Sequence, residues 1–340
     1  MPDHAPTPES RPVHIVTLGE VLIDMFPAEV GRPLVEVSAF HPKPGGAPAN
    51  VAVAARRHGA EAAFIGKVGD DLFGQHLVDV LRAEGVETRG VRVAEDARTT
   101  MAIIAMPDEN TAEFVFYRNP GADELLRADE LDTGLLAGTR AFHFGSLSLT
   151  GEPSRTATVE AVRLARAGGA LISYDVNYRP ALWPGPEAAI EAARAMLRQV
   201  DLVKVNEVEL ALLAGAQAED TARPETMAAL AAALRAEGPA LVVVTLGPRG
   251  SFFYTDAGWG HVEPFAVETV DATGCGDAFI AGLLVRLTSA DDWREMLTPD
   301  HLHDALRYAN AVGALTATRQ GVIPALPRAA EVEAFLRERA

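Results

Sequence analysis

Two glycines and a small residue lead into an apolar, helix-like run at Val270-Asp271-Ala272-Thr273-Gly274-Cys275-Gly276-Asp277-Ala278-Phe279. Helix N-termini present unpaired N–H groups. With little bulk at Gly274, Cys275 and Gly276, those amides can approach an anion and stabilise the charge that builds during phosphoryl transfer. Asp277, at the mouth of such a site, can take the proton from an attacking hydroxyl. The same residues also read as a tight turn followed by a helix-start acid that complements the dipole. Residue chemistry alone leaves the two open.

Further polar groups sit where apolar runs end. Asp24 lies just past the first apolar run, a place where α/β proteins commonly bind ligands, and its carboxylate can accept two hydroxyl hydrogen bonds; the plain alternative is a solvated loop acid. Gly45-Gly46-Ala47-Pro48-Ala49-Asn50 is, by itself, a loop before a helix N-terminus. Ser173-Tyr174-Asp175-Val176-Asn177-Tyr178-Arg179 ends a strand candidate, and the Arg179 guanidinium suits phosphate oxygens. Asn206-Glu207-Val208-Glu209 reads as an N-cap with acids in the first turn. Thr245-Leu246-Gly247-Pro248-Arg249-Gly250 reads as a β-turn. Neither a Gly-x₄-Gly-Lys-Ser/Thr loop nor a Gly-x-Gly-x-x-Gly fingerprint is present.

The elements that must position these groups alternate along the chain. Strand candidates at 13–18, 62–66, 140–144, 170–174, 201–205 and 241–246 interleave with helical patterns at 49–58, 74–84, 154–167, 187–199, 224–236 and 274–287. That order predicts an α/β fold with a mostly parallel central sheet flanked by helices. Segments 33–40 and 99–117 break the pattern. Met101-Ala102-Ile103-Ile104-Ala105-Met106 and Glu113-Phe114-Val115-Phe116-Tyr117 flank Pro107-Asp108-Glu109-Asn110, which predicts a small antiparallel sheet with a hairpin turn. Such a sheet is a natural lid, or a decoration of the main sheet.

The 340 residues, 48% hydrophobic and 23% charged, suit one large α/β domain with a minor appendage or two ordinary domains. A net charge of -17, spread along the chain, argues against nucleic acid or an anionic membrane as partner, so any bound phosphate must be held locally. The single cysteine, Cys275, excludes an intramolecular disulfide and a cysteine-based zinc site, and fits a cytoplasmic, reducing setting. No run approaches the roughly 18 apolar residues of a membrane span, and the start reads as a frayed terminus of a soluble protein.

Segment 271–277 resembles the C-terminal signature of the ribokinase-like (pfkB) carbohydrate kinase family, usually Asp-Thr-x-Gly-Ala-Gly-Asp. Ala272 and Cys275 depart from it; the first change is also met in fructokinases, and the second leaves a backbone anion hole in place. Gly45 to Asn50 resembles the N-terminal signature. Phe64-Ile65-Gly66-Lys67-Val68-Gly69-Asp70-Asp71, Phe116-Tyr117-Arg118-Asn119-Pro120-Gly121-Ala122-Asp123, His143-Phe144-Gly145-Ser146 and segment 310–327 look like fructokinase segments.

The resemblance implies an ATP-dependent sugar kinase of ribokinase-like fold with a small β-sheet lid, its product fructose 6-phosphate if the sugar is fructose. It leaves 2-keto-3-deoxygluconate, ribose or a nucleoside as other substrates, and a catalytically silent sugar-binding regulator as another role. It implies Asp277 as general base and Gly274, Cys275 and Gly276 as the anion hole. For the sugar it implies Asp24, Gly45, Gly46, Asn50, Arg118, Asn177 and Arg179; Arg118 is as well explained by salt bridging between lid and body. For the nucleotide it implies Asn206, Thr245, Gly247, Gly250 and Asn310. For metals it implies Glu209 holding Mg²⁺ through water, with a K⁺ site at Asp271 and Thr273. The expected division is a body of 12–28, 41–98 and 119–340, a lid of 29–40 and 99–118, a disordered 1–11, and a homodimer through the lid.

Overall fold

The computed structural model describes residues 14–29, 31–105 and 113–339. The disorder expected for 1–11 and the turn expected at 107–110 lie outside the described residues.

The chain begins with β1 (Ile15–Leu18), β2 (Leu22–Pro27), β3 (Phe40–Gly45), α1 (Ala47–Arg57) and β4 (Ala62–Gly69). It continues through α2 (Leu72–Ala83), β5 (Glu87–Ala94), β6 (Met101–Ala105), β7 (Glu113–Tyr117) and α3 (Thr133–Ala137). Next come β8 (Ala141–Gly145), α4 (Ser154–Ala167), β9 (Leu171–Asp175), α5 (Pro186–Leu197), β10 (Leu202–Asn206) and α6 (Glu207–Ala214). The last third holds α7 (Pro224–Arg235), β11 (Leu241–Thr245), β12 (Ser251–Thr255), β13 (Gly258–Val262), α8 (Cys275–Leu287), α9 (Pro299–Ala317) and α10 (Ala329–Arg337).

Nine strands form one sheet in the order β13-β12-β11-β10-β9-β8-β1-β4-β5. Seven of them, from β11 to β5, pair in parallel, and β12 and β13 return antiparallel at one edge. A sheet covered on both faces needs strands that are apolar throughout, because successive side chains point to opposite faces. Ile15, Phe64, Leu171, Leu202 and Val243 belong to a core shared with α1, α8, α9 and α10. Their neighbours Val16, Ile65, Ile172, Val203 and Val244 belong to a second core with α4, α5, α6 and α7. The chain runs from β1 outwards through β4 to β5, and from β8 outwards through β9 to β11, so the order reverses between β1 and β8. In open α/β sheets, the crevice outside the strand C-termini at such a reversal is where ligands bind.

A second sheet of four strands, β3-β2-β6-β7, stands apart. It takes in Leu22–Pro27 and Phe40–Gly45, so the boundary expected between body and lid is corrected: 22–28 and 41–45 are not body, and 34–36 is a single 3₁₀ turn. The sheet is also mixed rather than antiparallel, since β2 pairs with β6 in parallel. Among the described residues no helix is long and apolar enough to cross a membrane.

Candidate active site

Between the two sheets lies a cleft of about 810 Å³. From the body it is walled by the C-terminal ends of β1, β8 and β9 and the start of α8, and from the lid by Leu22, Asp24, Ala102, Phe114 and Phe116. The sequence-expected Gly46, Asn50, Asn177, Arg179, Asp271, Thr273, Gly274, Gly276 and Asp277 all line it.

The centre is a contact between two helix starts. α1 opens after Gly46, whose φ of 104° lies in the region open to glycine, and it carries Asn50 in its first turn. α8 opens at Gly274 with φ 77° and carries Asp277 in its first turn. Asn50 Nδ2 donates to Asp277 Oδ2 over 2.8 Å, joining residues 227 apart in the chain. With Oδ2 held, Oδ1 is left for a substrate. Burial raises the Asp277 carboxyl to about 6; the Asn50 hydrogen bond and the cations Lys204 and Arg179 restrain the rise, and Asp175 adds to it. A carboxyl poised there is ionised near neutral pH yet basic enough to accept a proton.

The residues expected to form an anion hole stand at the same helix start. A side chain at Gly276 would stand 3.2 Å from Lys204 Nζ, and one at Gly274 would stand 2.4 Å from Val322 Cγ1. The Cys275 amide reaches Ala272 O over 3.3 Å, a long bond that an anion can share. The Cys275 thiol is pushed up to about 12 by burial and by the charges of Asp271 and Asp277, so it is a protonated packing group rather than a nucleophile.

Lys204 Nζ is bonded to both oxygens of Asp175, at 3.0 and 2.8 Å, and both groups are buried in the cleft wall. Burial opposes the ammonium charge, but Asp175 and Glu209 offset it and hold Lys204 above its usual range. The pair was not singled out in the sequence. Its signal was a lone lysine inside Leu202-Val203-Lys204-Val205, where a buried strand tolerates a charge only with a partner. Asn177, at φ 37°, is the one described non-glycine residue with positive φ, and Arg179 lies over the Phe114 ring at 5.6 Å.

On the lid side of the cleft, Asp24 is raised to about 7 by burial, then by Asp277 and Asp271, with Arg179 opposing. A Cβ at Gly45 would lie 1.9 Å from Asp24 Oδ2, so a side chain there would turn the Asp24 carboxylate out of its place. Glu20 also lines the cleft, another residue not singled out beforehand. Its Oε1 accepts the Ala47 amide at 3.0 Å, Oε2 has no partner, and burial foremost lifts it to about 8.

Several expected residues stand elsewhere. Arg118 is buried away from the cleft lining: Nε donates to Asp123 at 2.8 Å, Nη1 to Thr150 at 2.8 Å and Nη2 to Leu147 O at 3.0 Å. The substrate contact expected of it is therefore corrected to an internal brace. Asn206 caps α6, its Oδ1 accepting the Glu209 amide at 2.9 Å, while Glu209 accepts the Asn206 amide at 2.8 Å and the Tyr178 amide at 2.7 Å. Those two bonds hold the Glu209 carboxylate within the cap. Thr245 sits beside Asn206 across the β10/β11 ladder, and Gly247 and Gly250 form the turn that follows, with φ of 56° and 86°. Asn310 donates to Val262 O and Glu263 O at 3.2 and 3.1 Å, fastening the end of β13. These groups lie at or beyond the same end of the sheet as the cleft, outside its lining.

The expected potassium residues form one turn. Asp271 accepts the Thr273 amide through Oδ1 and the Gly321 amide through Oδ2, both at 2.9 Å. Among the described residues no three His, Cys, Asp or Glu side chains group as a metal site. A magnesium carried mainly by phosphate oxygens and waters needs no such group of side chains, and Glu209, the acid expected beside it through water, is held in the α6 cap.

A buried carboxyl, a helix start with free amides and a fixed cation facing one lidded cleft are the groups that moving a phosphoryl group onto a hydroxyl requires. The pfkB family carbohydrate kinase profile matches residues 13–329, and the chain belongs to that family. Fructokinase-1 of Zea mays is 44% identical over 318 residues, covering 94% of this chain and 96% of its own. The fructokinase of Xylella fastidiosa with bound ATP superposes with a TM-score of 0.86 at 35% identity, covering 96% of this chain and 98% of the other. A Vibrio cholerae O395 fructokinase holding fructose, ADP and calcium ion gives 0.83 at 31% identity, covering 96% and 100%. The fold is thus the ribokinase-like one expected, a large mostly parallel sheet with a small separate sheet.

Proposed function

We propose that the chain is an ATP-dependent fructokinase that converts D-fructose to fructose 6-phosphate. The observation that carries the chemistry is Asp277, which lines the cleft and is held at 2.8 Å by Asn50 through Oδ2. The choice of fructose follows from the relatives.

In this reading the sugar lies between Asp24, the Gly45-Gly46 turn and the lid residues Phe114 and Phe116. Its primary hydroxyl approaches Asp277 Oδ1 and gives up its proton as it attacks the γ-phosphate in line. The O–H bond breaks, an O–P bond forms, and the bond to ADP breaks, with the leaving oxygen's charge falling towards the helix start. Amides of Gly274, Cys275 and Gly276 and the charges of Lys204 and Arg179 offset that charge. Magnesium, bound with ATP, supplies further neutralisation of the phosphates. A potassium ion beside the Asp271–Thr273 turn belongs to the same reading and would draw on backbone carbonyls. The nucleotide would extend from the cleft towards Asn206, Thr245, Gly247 and Gly250 at the ends of β10 and β11. Closure of the lid would keep water from the phosphate. A homodimer through the lid face that exposes Val115 and Tyr117, and a cytosolic setting, fit the same reading.

The test is ADP release with MgATP and, in turn, fructose, ribose, 2-keto-3-deoxygluconate, glucose and adenosine. Strong turnover on fructose alone is expected. Turnover on another compound instead overturns the substrate, and silence on all five overturns the kinase reading.

A further inference from the structure

The lid and the 271–274 turn are joined by a short segment, 321–322, whose Val322 also reaches the cleft wall. Phe26 on β2, Ile104 on β6 and Val322 form a buried apolar cluster, with Phe114 on β7 packed against it. Phe26, Ile104 and Phe114 belong to the small sheet; Val322 follows α9 in the body. On its other side, Val322 backs the α8 start, since its Cγ1 lies 2.4 Å from where a Gly274 Cβ would be. The preceding residue repeats the arrangement. Lys43 of β3 lies over the Phe26 ring at 4.7 Å and packs on Gly321, 3.0 Å from the position of its absent Cβ. Gly321 N–H donates to Asp271 Oδ2, whose Oδ1 holds the Thr273 amide. The lid thus presses on 321–322 at two points, and 321–322 meets the 271–274 turn at two points.

We propose that the Gly321–Val322 turn is a positioning element through which the seated lid holds the Gly274–Gly276 amides in place for the phosphate. Close-packed groups transmit displacement because no void absorbs it. When the small sheet lifts, Val322 loses Phe26 and Ile104, and the helix start loses the group it leans on. The anion hole is then firm only while the lid is seated, which ties phosphoryl transfer to a closed cleft and suppresses transfer to water. This coupling rests on the kinase reading above for its benefit, but its mechanical part is measurable without turnover.

Amide exchange across 273–278 reads the mechanical part. Phe26→Ala, more than two hundred residues away in sequence, is expected to speed exchange there by at least about fivefold, as is Val322→Ala. Exchange unchanged in both variants overturns the proposal, whether or not the protein turns over. With the active sugar saturating, Val322→Ala is expected to lower kcat about tenfold while the KM for ATP stays within about twofold. ADP released without sugar should rise as a fraction of kcat.

Val322→Thr keeps the branched shape and buries a hydroxyl, so it should lose thermal stability yet keep kcat. Val162→Ala, a cavity of the same size on α4, controls for stability alone. The Phe26→Ala/Val322→Ala pair should be no slower than the slower single variant, because both remove one linkage. Multiplying defects, or a Val322→Ala kcat equal to that of Val162→Ala, overturn the proposal. If Val322→Ala does not fold, Phe26→Ala carries both readouts from the lid side.

Discussion

At the scale of single residues, the site depends on where protons sit. Asp277 is buried in the cleft wall, and burial holds its carboxyl near 6 against the pull of Asn50, Lys204 and Arg179. A base acts only when ionised, so activity must fall as pH drops through that value. We expect kcat/KM to decline about tenfold per pH unit below about 6. Asp277→Asn keeps the Asn50 contact through its amide oxygen but has no basic oxygen. It should retain sugar and ATP binding while turning over about 10²–10⁴-fold more slowly, with a flat pH profile. Near-normal turnover in that variant, or an acid limb that survives in it, removes Asp277 from the role of base. Lys204 shows what residue types alone do not reveal. Its charge sits in a strand of apolar neighbours, and only the three-dimensional pairing with Asp175 explains why it is tolerated.

At the scale of elements, the cleft is made by the ends of strands and the starts of helices, and glycines fix the angles. Gly46 has φ 104°, and a Cβ on it would stand 2.5 Å from Glu20 O and 2.9 Å from Val21 Cα, both backbone. Neither can give way. Gly46→Ala should therefore displace the α1 start, moving Asn50 from Asp277. The expected cost is about 1–3 kcal/mol of stability from backbone strain and a rise in sugar KM of roughly tenfold or more. Unfolding in denaturant and steady-state kinetics check the two, and an unchanged KM would detach the turn from sugar binding.

The same scale shows how far the sequence could be read. Six of the seven parallel strands were legible because they are apolar runs bounded by turns, and the helices between them because their apolar residues recur on one face; β5, with Glu87, Arg89 and Arg92 in it, was not. The lid was legible only in part. β3 carries Pro42 and Pro44, which argue against a strand until its place is known; it is an edge strand of the small sheet, where a missing donor is tolerated. β2 follows β1 after three residues and looked continuous with the body. The motif residues of the cleft were readable as local patterns. Glu20 and Val322 were not, since their roles come from burial and from neighbours distant in the chain.

At the scale of the whole molecule, folding gathers carboxyls under the lid and keeps them from water. Glu20, Asp24 and Asp277 are raised to about 8, about 7 and about 6, each chiefly by burial. A carboxyl raised on folding stabilises the native state fully below its unfolded value, and that contribution is lost as pH climbs through the folded value. Carboxylates lowered by hydrogen bonds or ion pairs, among them Glu84 with Arg57, act the other way and fail as pH falls. The ligand-free protein should therefore be most stable in mild acid and lose stability from about pH 5 towards pH 8.

Glu20 isolates the effect. Its carboxyl faces Asp123, which raises it, Arg118, which lowers it, and the Ala47 amide, which a glutamine oxygen also satisfies. Glu20→Gln keeps that bond and removes the titration. Between about pH 5 and 8 the stability of the native protein relative to the variant should fall by roughly 1.4 kcal/mol per pH unit. That corresponds to about 2–4 °C in Tm per unit. Thermal unfolding of both proteins across that range reads the difference directly. Parallel curves would mean that Glu20 is already ionised in the folded state and that its unpartnered oxygen is met by a donor. A difference that falls steadily with pH would make it a neutral acid built into the floor of the cleft, held there by burial beside the Gly46–Ala47 turn.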